Sequence, residues 1–402
     1  MKLEALSLAH CGGFEQLDIA FESDVTLIAG ANGVGKSTLL RALCVILTRT
    51  QRRIGVTRSR PSSLKPDDIF IGSEVARLTA SMDFDGRKVR AEFSQRSNSR
   101  ATKKFDLLGV VPEQTSNECL AVYFSPKRQL PGQPRSLPPE AKPFDPSIAY
   151  GRALHDREVE LREFMHWFRT QEKLGAANEP RRLKVLDALR AVVGELLPEF
   201  GNLRIQEQPR LGFVVDKRGQ PFYLHQLSDG ERGLLALVFD LSRRLAIANP
   251  DSDNPIAEGV ALVLIDEIEL HLHPKWQRDV LQRLRDIFKA CQFVVTTHSP
   301  LVLGEVPARC VRFLEFVNGK VDVTVPAEAY GMDANRILQE FMGAPVRNRQ
   351  VDDELKALFK LIDQERFDAA RAAIAALERK LGEDEPELTR ASSLIRFLEG
   401  AE

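Results

Sequence analysis

The sequence predicts an α/β fold in which a parallel sheet is combined with an antiparallel β subdomain, a short helical hairpin and a helical carboxy-terminal tail. Two apolar runs, Val260–Ile265 and Gln292–Thr296, have the composition of parallel strands buried on both faces. A third strand, Val25–Ala29, enters a glycine-rich turn and is followed by a predicted helix, Ser37–Leu47. The 402 residues are 43% hydrophobic and 28% charged, as is usual for a globular chain that buries a sizeable core.

Alternating polar and apolar residues in the first part of the chain predict the antiparallel subdomain. Lys2–Ala9 and Leu17–Phe21 are two short strands, and Glu74–Phe93 alternates in the same way. Between them, Gly55–Asp68 is rich in Arg, Ser and Pro and is predicted to be a loop. Arg96–Lys104 is predicted to be a basic connector.

The middle of the chain predicts a helical hairpin between strands. Cys119–Phe124 is a strand, and Gln129–Pro146 is an irregular segment in which six residues are proline. Apolar stripes over Leu161–Phe168 and Leu183–Leu196 predict two helices that are too short for a long coiled coil. Leu203–Val215 then returns to strand.

Two further apolar stripes, over Val351–Ile362 and Phe367–Leu381, predict helices in the tail. No internal repeat is evident in the sequence. The predicted organisation therefore has four parts: an amino-terminal lobe (1–150), the hairpin insertion (151–200), a carboxy-terminal lobe (201–330) and an acidic helical tail (331–402).

Charge is unevenly distributed although the formal net charge is only −1. Arg41–Lys104 holds 15 basic and 6 acidic residues, whereas Val351–Glu402 holds 8 basic and 13 acidic residues. The five cysteines are scattered without a CxxC pair, and no apolar run is long enough to span a bilayer. We therefore expect a cytoplasmic protein with reduced thiols and no membrane partner.

The segment Gly30-Ala31-Asn32-Gly33-Val34-Gly35-Lys36-Ser37 matches the P-loop pattern G-x-x-x-x-G-K-[ST] in full. Its glycines let backbone amides close around a phosphate, and the helix amino terminus adds a favourable dipole. Lys36 is expected to contact the β- and γ-phosphates of ATP, and Ser37 is expected to ligate Mg²⁺. A glycine-rich turn with a solvated lysine is the alternative, and the strand–turn–helix context disfavours it.

Two later strand ends supply the other groups that a P-loop needs. Asp266 follows the apolar strand Val260–Ile265 and is predicted to hold the metal, while Glu267 is predicted to polarise the attacking water. His298 closes the next strand and is a candidate donor to the γ-phosphate. The alternatives are that Asp266 and Glu267 are a charged pair that only ends a strand, and that His298 has a structural role.

The string LSDGER precedes a long apolar helix. Ser228, followed three residues later by Glu231, is a capping box, which by itself explains only how the helix starts.

Taken together, the P-loop, LSDGER, LVLIDEIELHLHP and TTHSP, in this order, resemble the ABC-type ATPase heads of the SMC and RecF class. They are most similar to the stand-alone AAA ATPases of bacterial antiphage operons, the PtuA-like group of Septu systems and some retrons. The core of the resemblance covers residues 1–50 and 200–315, and the tail beginning YGMDANRILQEFMG is also similar.

The resemblance implies an ATPase whose two subunits sandwich two ATP molecules. The residues that it implies for binding ATP are Asn32, Gly33, Gly35, Lys36, Ser37 and Thr38. Ser228 and the backbone of Gly230 would contact the nucleotide held by the other subunit, with Asp229 pointing away. Gln129 is the candidate glutamine for Mg²⁺ or the attacking water, although Lys127 and Arg128 beside it are alternative phosphate contacts.

The resemblance further implies a homodimer or higher oligomer that regulates a separate effector, a nuclease such as an HNH protein, in antiphage defence. The alternative is a DNA-repair or recombination ATPase of the RecF or SMC type. A transporter subunit is disfavoured because 190 residues separate Thr38 from Ser228. An ATPase–nuclease with its own TOPRIM domain is disfavoured because the tail is predicted to be helical.

Three further interpretations concern partners. His271 and His273, near Glu267 and Glu269, are an alternative metal site. Arg49–Arg60 and Arg87–Lys104 are candidates for DNA-backbone contact, with solvated loops as the equal alternative. The acidic tail beyond Val351 is expected to dock the effector.

Overall fold

The computed structural model describes residues 1–97, 103–110, 120–130, 132, 134, 136–138, 144–177, 179–345, 347–382 and 384–400. The chain divides into two compact units, Met1–Ile337 and Leu338–Glu402. The division into four parts predicted from the sequence is finer than this and stays a prediction. In the described residues, no helix is long and apolar enough to cross a membrane.

Strands and helices are numbered here in chain order. The strands are β1 Lys2–Cys11, β2 Phe14–Ala20, β3 Val25–Gly30, β4 Val75–Phe84, β5 Arg87–Arg96, β6 Lys103–Leu108, β7 Leu120–Phe124, β8 Phe200–Gln206, β9 Gly212–Lys217, β10 Gln220–Tyr223, β11 Ala261–Ile265, β12 Gln292–Thr296, β13 Val311–Val317 and β14 Lys320–Thr324. The helices are α1 Lys36–Arg53, α2 Leu161–Ala176, α3 Pro180–Leu196, α4 Asp229–Ala248, α5 Pro255–Glu258, α6 Pro274–Ile287, α7 Pro300–Leu303, α8 Ala334–Glu340, α9 Arg349–Asp363, α10 Phe367–Leu381 and α11 Pro386–Glu399.

The main sheet has six strands in the order β14-β13-β3-β12-β11-β7. All of its pairs are parallel except β13 with β14. Every residue of β3, β11, β12 and β7 is buried, which explains their continuous apolar composition. The carboxyl ends of these strands therefore meet at one edge of the sheet, as predicted for a parallel α/β fold.

Two antiparallel sheets complete the first unit. One has the strand order β2-β1-β4-β5-β6, and the other has the order β10-β9-β8. The antiparallel subdomain predicted from alternation is thus confirmed, and so are the two hairpin helices, which the structure places at α2 and α3.

Several sequence-based boundaries were wrong. Glu74–Phe93 is two strands, β4 and β5, because Asp85 and Gly86 both adopt positive φ and turn the chain back. The connector Arg96–Lys104 contains the end of β5 and the start of β6, and residues 98–102 lie outside the described part of the chain. Leu203–Val215 likewise spans two antiparallel strands, β8 and β9. Cys119, the predicted start of β7, lies outside the described residues.

Helix α4 is anchored by ion pairs far from its amino terminus. Asp240, 1% exposed, accepts hydrogen bonds from Arg157, Arg243 and Arg244. Burial alone would raise the pKa of the Asp240 carboxyl, but the three guanidinium groups lower it far below its usual range. Since an unpaired buried charge is costly, these contacts hold the inner part of α4 in one position.

The second unit has its own apolar core. The helices α9, α10 and α11 contribute the buried residues Leu355, Leu358, Ile362, Ala370, Ile374, Leu377, Leu388, Ala391 and Ile395. The two tail helices predicted from the sequence are confirmed, whereas α11 was missed because its apolar stripe is short and follows an acidic, proline-containing turn.

Candidate functional site

The P-loop lies between the end of β3 and the start of α1. Its three glycines all have positive φ: 144° for Gly30, 81° for Gly33 and 106° for Gly35. Close packing adds a second reason for two of them. A Cβ on Gly30 would lie 2.3 Å from the carbonyl oxygen of Leu314, and one on Gly35 would lie 2.4 Å from the Phe14 ring. The loop conformation therefore requires glycine.

Lys36 lies at the centre of the site. Its Nζ donates hydrogen bonds to the carbonyl oxygens of Gly30 and Ala31, at 2.7 and 2.8 Å, and lies 3.2 Å from Nδ1 of His298. Burial lowers the pKa of Lys36 to about 8, although Glu269, Asp266 and Glu267 oppose this shift. The ammonium is thus held by weak acceptors that the oxygens of a phosphate can replace.

Asp266 is fixed at the end of β11. Its carboxylate accepts a hydrogen bond from Thr296 Oγ1 at 2.6 Å and one from the Tyr123 hydroxyl at 3.4 Å, and it is 2% exposed. The Tyr123 hydroxyl is itself buried, and this burial raises its pKa well above its usual range. The tyrosine therefore stays a neutral donor beside the carboxylate.

Glu267 adopts φ of 51°, a left-handed conformation that a residue with a side chain adopts at a cost of about 1–3 kcal/mol. Neighbouring groups enforce it. Its backbone N–H donates to Thr296 Oγ1 at 2.8 Å, and its carbonyl oxygen accepts from Arg128 Nη2 at 2.6 Å. Among the described residues, no hydrogen bond or ion pair engages its carboxylate. The backbone is therefore held while the carboxylate is left available.

Sequence reasoning missed the role of Arg128. Its guanidinium is 5% exposed and donates to the carbonyl oxygens of Asp266 and Glu267, both at 2.6 Å. Burial lowers its pKa to about 10. Arg128 thus holds the backbone that carries the two carboxylates, and Lys127 pairs with Asp156 at 2.8 Å. The predicted phosphate contacts of these two residues stay predictions.

His298 is oriented by a second missed residue, Glu269. The Glu269 carboxylate accepts from the backbone N–H of His298 and, at 2.8 Å, from Thr297 Oγ1. Burial and the charge of Lys36 lower the pKa of His298. The ring is therefore neutral near pH 7, and the structure places it against the P-loop lysine. Its predicted hydrogen bond to the γ-phosphate stays a prediction.

The start of α4 lies outside this cluster. Ser228 is the N-cap: its Oγ accepts from the Glu231 N–H at 3.4 Å, and the Glu231 carboxylate accepts from the Ser228 N–H at 2.9 Å. Burial would raise the pKa of Glu231, but hydrogen bonds from Lys217 and Ser228 lower it. The capping box is therefore present, and Ser228 itself is exposed.

Gly230 is buried against the chain that follows Glu267. A Cβ there would lie 2.3 Å from the carbonyl oxygen of His271, so the contact with residues 271–272 requires glycine. Asp229 is exposed and pairs with Arg232; its predicted orientation away from the nucleotide of another subunit stays a prediction. The predicted contacts of Ser228 and Gly230 with a nucleotide on another subunit stay predictions.

The remaining candidates are exposed or half-buried. Asn32 is exposed, and Ser37 and Thr38 are half-buried in the first turn of α1, where the Thr38 hydroxyl accepts from Arg41. Gln129 is exposed, and its carbonyl oxygen accepts from the Val159 N–H at 3.2 Å. Its assignment to the metal or the water stays a prediction.

The alternative metal site at His271 and His273 finds no support. In the part of the chain that the structure describes, no group of three or more His, Cys, Asp or Glu side chains is placed to hold a metal. His273 instead caps α6, where its Nδ1 accepts from the Lys275 N–H at 3.2 Å.

The geometry fits a magnesium–triphosphate group. Among the described residues, no side chain caps the first turn of α1, so no side chain competes with an anion for its amide groups. Lys36 supplies a cation, Ser37 a hydroxyl, and Asp266 a carboxylate at the end of β11, which β12 separates from β3. Oxygen donors of this kind suit Mg²⁺, and the metal would neutralise phosphate charge when bound.

The chain matches the protein family described as "AAA domain, putative AbiEii toxin, Type IV TA system" over residues 25–304. It is 26% identical to the "Retron Ec83 probable ATPase" of Escherichia coli, over 96% of this chain and 85% of that protein. It is also 26% identical to the "Retron Vc95 probable ATPase" of Vibrio cholerae serotype O1 biovar El Tor, over 84% and 78%.

A Septu protein PtuA from Bacillus mycoides (strain KBAB4) is 27% identical over 69% of this chain, but the match covers only 34% of that protein. Among solved structures, the SmcHead bound to the C-winged helix domain of ScpA superimposes with a TM-score of 0.50 at 17% identity, covering 81% of this chain and 97% of that one. At this identity the likeness concerns the fold alone.

Proposed function

The chain belongs to this family of AAA domains and is an ATPase with an SMC-type head fold, and from that premise we propose that it forms an ATP-dependent dimer that controls a separate effector in antiphage defence. The observation that carries the proposal is the contrast between a nucleotide site assembled within the chain and an exposed Ser228 at a helix amino terminus. In the proposed dimer, Ser228 and the adjoining amides meet the γ-phosphate bound by the other subunit.

Within one subunit, the proposed roles follow from the contacts. Lys36 and the amides of Gly33 and Gly35 bind the phosphates, with Asn32 and Thr38 flanking them. Asp266 and Ser37 hold Mg²⁺. Glu267 accepts a proton from the attacking water, because its carboxylate is available while its backbone is fixed. His298, held by Glu269, donates a hydrogen bond to the γ-phosphate.

The dimer is tested by analytical ultracentrifugation of wild type, Glu267→Gln and Ser228→Arg, with and without Mg-ATP. We expect Glu267→Gln to form a larger species only with Mg-ATP, because hydrolysis no longer dissolves the sandwich. Ser228→Arg should stay small, whereas the control Ser97→Arg, at another exposed serine, should behave as wild type. The same nucleotide-independent mass for every protein would refute the ATP-gated dimer.

The effector is proposed to be a separate nuclease, such as an HNH protein, because the chain has a single assembled catalytic cluster among its described residues. We propose that the second unit docks it: this unit has its own core and exposes Phe397, which is 72% accessible. A chain ending at Pro345 should keep its ATPase activity and lose effector binding. Undiminished effector binding by that truncated chain would contradict the docking role.

The alternative function is a RecF- or SMC-type DNA-repair ATPase that acts in the cytoplasm on DNA ends or gaps. The basic amino-terminal lobe supports DNA contact in either function, because Arg41–Lys104 carries nine more basic than acidic residues. Stimulation of the ATPase by DNA alone, without an effector, would favour the repair function. Control of a nuclease by the ATPase state would favour the defence function.

A further inference from the structure

An open pocket of about 400 Å³ lies at the carboxyl end of α1, lined by Arg49, Arg52, Arg53, Pro61 and Phe105. The P-loop lies at the opposite end of the same 18-residue helix. At a rise of about 1.5 Å per residue the two ends are about 27 Å apart. The pocket is therefore distinct from the nucleotide site.

Arg49 is held rigidly in this pocket. Its guanidinium lies 4.2 Å from the centre of the Phe93 ring, and its Nη2 donates to Ser62 O at 3.1 Å and to Ser63 Oγ at 3.0 Å. Burial lowers the pKa of Arg49, and the nearby charge of Arg52 lowers it further. Two like charges are thus kept close together, an arrangement that a bound anion relieves.

The positive charge of the pocket is not neutralised within the chain. Among the described residues, no ion pair includes Arg49, Arg52 or Arg53. Nor does one include Lys103 at the pocket's edge, whose Nζ donates to Ser63 Oγ at 2.9 Å.

Favourable interaction with the helix dipole explains part of this pattern. Cations in the last turn stabilise a helix carboxyl end, and Arg52 and Arg53 are in that turn. It does not explain Arg49, which is one turn earlier, half-buried and fixed against Phe93. It also does not explain Phe105, which pairs with Phe93 across β5 and β6 and brings a second aromatic ring to the pocket.

We propose that this pocket binds a terminal phosphate group, as found at the 5′ end of a nucleic acid strand or in a free polyphosphate. A terminal phosphate carries nearly two charges near pH 7 and several acceptor oxygens, which suits three guanidinium groups around one pocket. An internal phosphodiester carries one charge and continues in both directions. Phe105 offers a ring on which the adjoining base can stack.

The proposal rests on the proposed function only where the phosphate belongs to DNA, and it does not require the ATP-dependent dimer. The test therefore uses the full chain without nucleotide. Binding of a short 3′-fluorescein oligothymidylate, with either a 5′-phosphate or a 5′-hydroxyl, is followed by fluorescence anisotropy. We expect the 5′-phosphate to tighten binding by about tenfold.

The variant Arg52→Gln/Arg53→Gln should abolish this preference and leave the weaker binding of the 5′-hydroxyl strand. Both arginines are exposed, so the fold should persist. Arg77→Gln/Arg90→Gln is the matched control. It removes the same amount of charge. Arg77 and Arg90 lie on β4 and β5, on the face of the sheet that points away from α1, because they alternate with the residues that face α1. The control should keep the tenfold preference.

Equal affinity of the wild-type protein for the two strands would overturn the proposal. An equal loss of the 5′-phosphate preference in the pocket variant and the control variant would also overturn it, because it would indicate a general electrostatic attraction. Competition with inorganic tripolyphosphate, measured in a Lys36→Ala background, separates the two sources of phosphate. If tripolyphosphate binds as tightly as the 5′-phosphorylated oligonucleotide that it displaces, the ligand is a free polyphosphate. If it binds much more weakly, the ligand is the end of a strand. A failed dimerisation test would leave these results unchanged.

Discussion

The P-loop edge of the main sheet and the start of α4 differ in how many of their polar side chains have partners within the chain. At the sheet edge, Lys36, Asp266 and His298 each have partners within the chain, and the backbone of Glu267 is fixed on both sides. At the start of α4, the capping box satisfies the helix while Ser228 stays exposed. In the proposed function, the first region binds ATP within one chain, whereas the second contacts a nucleotide only in the dimer.

The largest expected effect comes from breaking the first region. Lys36→Ala removes the cation that the chain holds at the P-loop, and we expect ATP turnover to fall at least about 100-fold. Steady-state phosphate release measures this. Lys65→Ala, an exposed lysine outside the site, is the control and should keep wild-type turnover. Turnover within threefold of wild type in Lys36→Ala would exclude the P-loop as the catalytic site.

Gly230→Ala tests the contact that joins the two regions. The added Cβ would lie 2.3 Å from the His271 carbonyl oxygen, so we expect a loss of about 2 kcal/mol in the free energy of unfolding. Gly233→Ala is the matched control in the same helix, because its Cβ would lie an ordinary 3.6 Å from the nearest atom. It should be neutral or slightly stabilising. Urea unfolding of both variants measures this difference. Equal stabilities would mean that Gly230 does not pack tightly against the His271 carbonyl oxygen.

Ser228→Asn separates the cap from the proposed contact between subunits. Asparagine is as good an N-cap as serine, so the unfolding midpoint should not move. ATP turnover at high protein concentration should nevertheless fall about tenfold, or about 1.4 kcal/mol, because the serine hydroxyl no longer reaches the other subunit's nucleotide. Wild-type turnover in this variant would mean that Ser228 only caps α4.

The smallest effect is a pH dependence within the first region. Lys36 has a pKa of about 8 in the free protein, so it loses its proton as the pH rises through that value. Bound phosphate favours the charged form and must raise this pKa, so ATP affinity should be nearly constant below about pH 7, fall about twofold by pH 8 and fall about a further fivefold between pH 8 and 9. Titration with a fluorescent ATP analogue measures it. Lys36→Arg cannot deprotonate in this range and should give a flat profile.

Local pattern predicted much of this molecule. The apolar strands β3, β11 and β12 could be recognised because burial on both faces leaves a continuous apolar run, and the P-loop because its glycines occur at fixed spacing. The residues Asp266, Glu267 and His298 followed from their positions at strand ends. The hairpin β4–β5 was read as one strand because alternation continues through the turn at Asp85-Gly86.

The supporting residues could not be predicted, because their contacts join distant parts of the sequence. Arg128 fixes carbonyl groups more than 130 residues away, at Asp266 and Glu267. In the sequence it was one of three adjacent candidates for a phosphate or metal contact, and nothing local distinguishes a buried guanidinium from an exposed one. Glu269 is similar: in the sequence it stood only beside the alternative metal site, and only the fold brings it to the His298 backbone.

By itself, the sequence predicted an α/β ATPase with a P-loop, candidate catalytic residues at two strand ends and a helix capped by Ser228, because each of these depends on neighbouring residues. Only the tertiary structure decided which groups orient these residues, why Gly30 and Gly230 must be glycine, and that three arginines at the far end of α1 share one pocket. These depend on contacts between segments that sequence spacing does not encode, and they form only when the sheets and helices pack together.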